Sequence, residues 1–212
     1  TDLTEVIELP GTLTNAPTDT VVPALRLLAL AASLSYFKAY APGTIEVPTG
    51  LSAQERRFLD ELLKNGLGEF AYVNDLPDVF DTTISGPSVT PAATAPTSSA
   101  VPPVVDRVLV AVGGGKDSIV SIEALKYAGK DVGLFSVNSY QPIQDTAEVA
   151  GIALASARRR LDPELFRLNA EGAPNGHVPV TAVNSLVAVL TAMALEFDTV
   201  AFSNEASSSY GN

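Results

Sequence analysis

Apolar residues in the first part of the chain recur with the spacing that is typical of helices. A long apolar stretch predicts a helix over residues 25–40, begun by Asp19 or Thr20 as the N-cap and with Pro23 tolerated in its first turn. This stretch holds Arg26 and Pro23, and the run after Arg26 is too short to span a bilayer. We therefore expect a buried helix and no membrane insertion.

A second, amphipathic helix is predicted to follow Ser52. The residues Ser52 and Glu55 have the spacing of a capping box, in which each side chain satisfies a free backbone N–H of the other residue. This helix is expected to end at Asn65-Gly66, a pair typical of helix C-termini. Residues 66–72 then predict a turn that leads into a short strand.

From residue 104 onward, short apolar runs alternate with helical patterns. We expect strands over residues 104–112, 132–137, 157–161 and 199–203, and helices over residues 118–128, 146–156 and 181–195. Strands that alternate with helices predict an α/β fold built on a doubly wound parallel sheet, with its ligand site at the carboxyl ends of the strands.

A change of composition separates these two parts. Residues 82–103 are rich in Pro, Ser, Thr and Ala and cannot bury enough apolar surface to offset their ordering entropy. The predicted organisation is a mainly helical N-terminal region at 1–81, a linker or mobile loop at 82–103, and a nucleotide-binding domain at 104–212.

Charge and cysteine content exclude several classes of function. The net charge of −11 over 212 residues argues against a nucleic-acid partner, whose phosphates need a basic surface. The absence of cysteine excludes disulfides and thiolate metal sites and suits the cytoplasm. Neither observation indicates an oligomeric state.

The first predicted strand of this domain runs into a glycine-rich loop. Gly113, Gly114 and Gly115 are followed by Lys116, Asp117 and Ser118 at the start of a helix. Glycines let backbone N–H groups approach an anion, and the helix N-terminus adds its positive dipole end, so the loop predicts a phosphate site. The alternative is an ordinary glycine-rich turn between a strand and a helix. A carboxylate in such a loop requires a cation, which makes Asp117 a candidate ligand of Mg²⁺.

The spacing of this loop fits neither a dinucleotide-binding loop nor a Walker loop. It resembles the phosphate loop of the PP-loop ATP pyrophosphatases, which cleave ATP to AMP and pyrophosphate. Gly113 stands where that family usually has serine. The resemblance implies a PP-loop type of fold in which the three glycines and Ser118 hold pyrophosphate and Lys116 neutralises phosphate charge.

Further polar residues follow the predicted strands. Asn138 and residues 203–205 come after strands, so we expect them on the same edge of the sheet as the glycine loop, and residues 175–179 should reach that edge as well. His177 is the one histidine of the chain and is either a proton-transfer group or a loop residue that bonds backbone. Glu205 is either a base or an exposed carboxylate.

Two basic features also have two readings. The run Arg158, Arg159, Arg160 either binds the phosphates of a nucleotide-linked substrate or forms a solvated strand edge. Lys38 either belongs to a site or complements the C-terminus of the first helix.

Several segments together resemble the UDP-N-acetylmuramoyl-L-alanyl-L-glutamate epimerase family of peptidoglycan-precursor synthesis. The segments that carry the resemblance are residues 175–182, 203–207, 35–39 and 66–70. The resemblance implies ATP-dependent epimerisation of the terminal L-glutamate of UDP-MurNAc-L-Ala-L-Glu through a carboxyl-adenylate, and a longer protein in which residues beyond 212 complete the substrate pocket.

The resemblance also implies roles for individual residues. The catalytic candidates are His177, Glu205 and Lys38; the ATP-binding candidates are Gly113, Gly114, Gly115, Lys116, Asp117, Ser118 and Asn138; the substrate-binding candidates are Asn175, Gly176, Asn204 and Arg160. Two other functions remain open on the sequence: a different PP-loop ligase or amidotransferase, which would pass the adenylate to an amine, and a non-enzymatic ATP-binding module.

Overall fold

The computed structural model describes residues 2–90 and 105–203. Within them lie, in chain order, β1 (Val6–Glu8), α1 (Thr18–Phe37), β2 (Thr44–Glu46), α2 (Ala53–Gly66), α3 (Gly68–Val73), a 3₁₀ helix (Pro77–Asp81), β3 (Thr83–Ser85), β4 (Arg107–Ala111), α4 (Lys116–Tyr127), β5 (Asp131–Val137), α5 (Gln141–Ala150), β6 (Leu154–Arg160), α6 (Pro163–Ala170), α7 (Val180–Ala194) and β7 (Thr199–Ala201).

The chain divides into two compact units, each assembled from three separate chain segments. The helical unit takes its described residues from Thr1–Glu5, Leu25–Thr97 and Leu161–Asn184, and the sheet unit takes its described residues from Val6–Ala24, Ser98–Arg160 and Ser185–Asn212. Neither unit coincides with one continuous range of sequence. The predicted domain boundaries at residues 82 and 104 stay predictions.

The sheet unit is built on five strands in the order β1-β6-β5-β4-β7. Strands β4, β5, β6 and β7 are parallel, whereas β1 pairs antiparallel with the outer edge of β6. The order of the parallel strands changes side at β4: β5 and then β6 lie on one side of it, and β7 lies on the other. The predicted α/β class and the parallel sheet are confirmed, with the antiparallel edge strand as an addition.

Apolar runs explain why these strands lie in the middle of the unit. Val108, Leu109 and Val110 of β4 are all buried, as are Leu134 and Phe135 of β5. Continuous burial of this kind is typical of parallel strands that are covered on both faces. The carboxyl ends of β4 and β5 are thereby held together at one edge of the sheet.

The boundaries of the next helix and strand correct the prediction. The helix predicted at 146–156 is α5, which begins earlier, with Pro142 in its first turn, and ends at Ala150 with Gly151 as its C-cap. Gly151 adopts the left-handed conformation (φ 67°) that closes many helices. The chain is therefore free to form β6 from Leu154, so the strand predicted at 157–161 is longer than expected.

The helical unit depends on the capping box at the start of α2, which is confirmed. The Ser52 hydroxyl accepts a hydrogen bond from the Glu55 N–H, and the Glu55 carboxylate accepts one from the Ser52 N–H at 2.8 Å. The same carboxylate accepts hydrogen bonds from the Arg26 guanidinium of α1. One side chain thus joins two helices.

Two predictions for this unit were wrong, one in the boundaries of a helix and one in the type of element. Helix α1 begins at Thr18, with Pro23 inside it, and ends at Phe37. Residues 66–72 form no strand, because Gly68–Val73 is the short helix α3. Leu67, Phe70 and Ala71 are buried at the three-and-four spacing of a helix, a pattern that the two flanking glycines masked in the sequence.

Strand β3 lies inside the stretch predicted as a linker. It pairs in parallel with β2, and its N–H and C=O groups at Thr83 and Ser85 face β2. The Arg56 guanidinium of α2 donates hydrogen bonds to the carbonyls of Ile84 and Gly86, which point the other way by strand alternation. The predicted linker residues 91–103 lie outside the described residues.

Helix α1 is the one described helix that is long and apolar enough to cross a membrane, with a mean hydropathy of 1.5. This test rests on length and composition, and the core helices of soluble proteins also pass it. Leu34 and Phe37 of α1 pack in a core cluster with residues of α2 and α3.

Replacement of Glu55 by alanine tests the joint between α1 and α2. We expect the free energy of unfolding at neutral pH to fall by about 1–2 kcal/mol, because a helix cap and a charge-assisted hydrogen bond are lost together. The Arg26 guanidinium and the Ser52 N–H lower the pKa of Glu55 from 4.5 to about 2. The stabilisation is therefore present above pH 4.5 and is lost as the pH falls toward 2.

Urea unfolding of wild type and variant at neutral pH and at about pH 3 measures both effects. Glu61→Ala, on an exposed position of the same helix, is the matched control and should change stability little. An equal loss for both variants, or a loss at neutral pH that does not shrink in acid, would contradict the assignment.

Candidate functional site

The glycine loop connects the carboxyl end of β4 to the first turn of α4, as predicted. Gly114 adopts a left-handed conformation (φ 79°), which favours glycine. Gly115 is the N-cap of α4 and offers no side-chain cap, so the first N–H groups of the helix have no side-chain acceptor there. A Cβ built on Gly113 or Gly115 has no described atom within 4 Å. The loop therefore leaves room for a ligand beside the backbone N–H groups at the start of α4.

A second helix begins beside the same loop. A Cβ built on Gly114 would lie 3.1 Å from Cβ of Pro142 in the first turn of α5. The Tyr140 hydroxyl, at the N-cap of α5, donates a hydrogen bond to the Gly113 carbonyl at 3.0 Å. Tyr140 provides no side-chain cap for α5. Two helix N-termini that lack side-chain caps thus meet at Gly114, and the positive ends of both dipoles favour an anion there.

The side chains of the loop have different surroundings. Ser118 is buried and its hydroxyl donates to the Gly115 carbonyl at 2.8 Å, so the hydroxyl closes the loop on itself and keeps its acceptor lone pairs. Asp117 is half-buried and Lys116 is exposed in the first turn of α4. Among residues 2–90 and 105–203 there is no group of three or more His, Asp or Glu that could hold a metal ion.

Two other predicted residues lie at this edge of the sheet. Asn138 follows β5 in a left-handed conformation, and its amide group accepts from the Arg159 N–H and donates to the Arg159 carbonyl. It therefore ties β5 to β6 with both ends of its side chain. Ser203 follows β7, and its hydroxyl lies 2.7 Å from that of Ser121 in α4. Asn204 and Glu205 lie outside the described residues.

The basic run lies on β6 at the side that pairs with β1. Arg160 donates to Glu8 of β1 at 2.9 Å, and both side chains are about half exposed. Pairs of this kind contribute little to stability. The contact of Arg160 with substrate stays a prediction.

The remaining candidates lie together in the helical unit. The Lys38 ammonium, just beyond the end of α1, donates a hydrogen bond to the Asn175 side-chain oxygen at 2.7 Å across 137 positions of sequence. The same oxygen accepts from the Gly176 N–H at 2.9 Å. The side-chain oxygen of Asn175 thus links three residues that were predicted to take part in catalysis or substrate binding: Lys38, Asn175 itself and Gly176. The predicted position of residues 175–179 at the sheet edge stays a prediction.

Close packing holds this loop against α2 and α3. A Cβ on Gly66 would lie 2.9 Å from Pro179, and a Cβ on Gly176 would lie 3.3 Å from Cα of Phe70. Val178 packs against the buried cluster that contains Phe70. Because Val178 is directed inward, its neighbour His177 is directed to solvent.

His177 has a carboxylate partner. Its Nδ1 lies 2.6 Å from a carboxylate oxygen of Glu69 in α3, and the two side chains are 79% and 60% exposed. The ring is therefore anchored at Nδ1 and accessible elsewhere. We name Lys38, Glu69, Asn74, Asn175, Gly176 and His177 the lysine–histidine cluster.

Three residues next to the predicted sites were not predicted from the sequence: Glu69, Asn74 and Tyr140. Asn74 caps α3, accepts from the Asn175 N–H at 3.3 Å and donates to the Asn175 carbonyl at 2.9 Å. Glu69 lies within one of the segments that carried the family resemblance, and that position was the available signal. Tyr140 follows a strand in the same way as Asn138, but an aromatic residue at the end of a strand does not by itself indicate a binding site.

Comparisons with known proteins agree on one family. The family model described as MurL N-terminal domain matches residues 1–212. Three relatives carry the name UDP-N-acetyl-alpha-D-muramoyl-L-alanyl-L-glutamate epimerase. The one from Micromonospora sp. is 46% identical over 215 residues, which cover 99% of this chain and 46% of the relative.

The relatives from Xanthomonas oryzae pv. oryzae and Salinispora tropica are each 43% identical, over 100% and 99% of this chain and 47% and 46% of their own lengths. The chain thus spans about half the length of the curated relatives it matches. No solved structure matches it.

Alanine substitutions in the glycine loop test its geometry. We expect Gly114→Ala to lower the free energy of unfolding by about 1–2 kcal/mol, because φ of 79° is strained for alanine and the new Cβ crowds Pro142. Gly113→Ala, at a position without a positive φ and with open space around its Cβ, should change stability by less than about 0.5 kcal/mol. Denaturant unfolding of the two variants measures the difference, and equal losses would disprove the described loop.

Proposed function

The chain belongs to the MurL N-terminal domain family, and on that premise we propose that the protein is an ATP-dependent epimerase. Its proposed substrate is UDP-MurNAc-L-Ala-L-Glu, the compound in the names of the three relatives, which are called epimerases. The proposed product carries D-glutamate in place of the terminal L-glutamate. The observation that carries the proposal is the lysine–histidine cluster, in which residues from distant parts of the sequence meet at one polar surface. We propose a cytoplasmic location for the protein, which its lack of cysteine suits.

The proposed chemistry removes an obstacle to breaking the Cα–H bond. Deprotonation next to a carboxylate would add a second negative charge to the same group. An α-carboxylate oxygen therefore attacks the α-phosphorus of ATP, the bond to the bridging oxygen breaks, and pyrophosphate leaves. A base then removes the Cα proton, a proton returns to the opposite face, and water releases AMP and the D-glutamate carboxylate.

The glycine loop suits the nucleotide in this proposal. Two helix N-termini that lack side-chain caps, the left-handed Gly114 and the open space around Gly113 and Gly115 favour phosphate groups. Lys116 and Ser118 would contact phosphate oxygens in the manner of a PP-loop. Asp117 would hold Mg²⁺ together with phosphate oxygens and water, which is the usual composition of a magnesium site. Magnesium would supply charge neutralisation of the phosphates.

The lysine–histidine cluster suits the amino-acid part of the substrate. The Lys38 ammonium provides a positive charge for a carboxylate, and Asn175 and Gly176 orient it. His177 provides a ring nitrogen for proton transfer. Glu205 remains the candidate for transfer on the opposite face, Asn138 for a contact with ATP, and Asn204 and Arg160 for contacts with the nucleotide-linked substrate.

The products of ATP test the assignment of the glycine loop. With full-length protein, Mg²⁺ and the UDP-linked dipeptide, we expect AMP and pyrophosphate in step with D-glutamate formation. Asp117→Ala should lower this rate at least about 100-fold, because removal of one transition-state charge contact has effects of that size. Glu148→Ala, on the exposed surface of α5, serves as the control. Chromatographic detection of ADP and phosphate would exclude the carboxyl-adenylate. Amide products formed with no D-glutamate would favour a ligase or amidotransferase instead.

Substitution of His177 separates proton transfer from activation. We expect His177→Gln to keep substrate-dependent exchange of pyrophosphate into ATP and to lower epimerisation about 100-fold or more, since general bases contribute at this scale. In D₂O the wild-type product should carry deuterium at Cα, which mass spectrometry detects. Unchanged epimerisation by the variant would leave His177 as a residue of the loop only.

A further inference from the structure

Glu69 is the one carboxylate that contacts the single histidine of this chain within the described residues. It lies in the first turn of α3, and its Oε1 is 2.6 Å from Nδ1 of His177. A neutral imidazole carries its proton on one of two nitrogens, and the hydrogen bond at one nitrogen decides which. A carboxylate at Nδ1 selects the form in which Nδ1 is protonated and Nε2 is the acceptor.

The same short helix fixes the position of the histidine backbone. Gly176, the residue before His177, packs closely against Phe70 of α3, where a Cβ would be crowded. Asn74, the C-cap of α3, holds both backbone groups of Asn175. Three successive loop residues are therefore fixed from one helix, and the carboxylate–imidazole contact follows from a defined backbone.

The exposure of the pair points to orientation as its role. The His177 side chain is 79% exposed and that of Glu69 is 60% exposed. Polar pairs at the surface contribute at most about 1 kcal/mol to stability. The contact therefore does little for the fold, while it leaves the rest of the ring open to an incoming substrate.

We propose that Glu69 is the positioning residue of His177. It accepts the Nδ1–H, keeps the unprotonated Nε2 directed to solvent, and stabilises the imidazolium that forms when Nε2 takes a proton from the substrate Cα. Glu69 itself does not exchange a proton with the substrate. The catalytic part of this statement rests on the proposed function, and the position of the imidazole proton does not.

Two measurements on the full-length protein test the proposal. Long-range proton–nitrogen correlation NMR, at a pH where imidazole is neutral, reports which ring nitrogen carries the proton, and the signals lost in His177→Gln identify this residue. We expect the Nδ1–H form in wild type and in Glu69→Asp, and a shift toward the Nε2–H form in Glu69→Gln. Glu61→Gln, an exposed carboxylate of α2, should change nothing.

The kinetic arm gives the catalytic consequence. We expect Glu69→Gln to lower kcat of epimerisation about 10- to 100-fold with KM nearly unchanged, by analogy with the loss of a carboxylate that orients a metal-binding histidine, and Glu69→Asp to recover much of it. A wild-type Nε2–H form, or a proton position indifferent to Glu69→Gln, would overturn the proposal whether or not the protein is an epimerase. The expected NMR result with unaltered kcat would overturn the catalytic role of the pair alone.

Discussion

The packing of residues 175–179 against α2 and α3 is the constraint on which the lysine–histidine cluster depends. Gly66 admits Pro179, Gly176 admits Phe70, and Val178 enters the buried cluster between them. None of these contacts is polar, yet together they determine where Asn175 and His177 present their polar atoms. Close apolar packing of the loop in this way lets exposed side chains keep defined hydrogen-bond partners.

The glycine loop in the sheet unit is held by a comparable arrangement. Burial of β4 and β5 fixes the strand ends, and Gly114 then accommodates the first turn of α5 at a distance at which a side chain would be crowded. The backbone donors of the loop are therefore positioned by strand packing and not by side-chain caps. In both units a glycine makes close approach possible, and the chemistry lies next to it.

Sequence patterns predicted most of the sheet unit because its signals are local. The run before Gly113, the glycine triplet and the helix after it are contiguous, so strand, loop and helix could be located from sequence. The capping box at Ser52 was equally local. Helix α3 was missed because two glycines interrupt its short pattern. The antiparallel pairing of β1 with β6 was not predicted, because a three-residue strand has no period to detect.

The lysine–histidine cluster shows where such predictions stop. Lys38, Asn175 and His177 were each singled out from sequence, but nothing in the sequence brings Lys38 to Asn175, which lies 137 positions away. Glu69 and Asn74 act through contacts with that distant loop, so their roles exist only in the folded chain. Long-range pairing of polar atoms has no periodicity and therefore no signature in one sequence.

The two hydrogen bonds of Arg56 with the carbonyls of Ile84 and Gly86 have a consequence for the behaviour of the protein in a crowded solution. A two-stranded sheet leaves each outer edge open to a strand from another molecule, which is how many aggregates begin. The guanidinium occupies the acceptors that such a strand would need and brings a positive charge to the same edge. A strand that added to β3 would therefore have to displace the Arg56 guanidinium from these two carbonyls, a consequence separate from any part that Arg56 has in holding α2 in place.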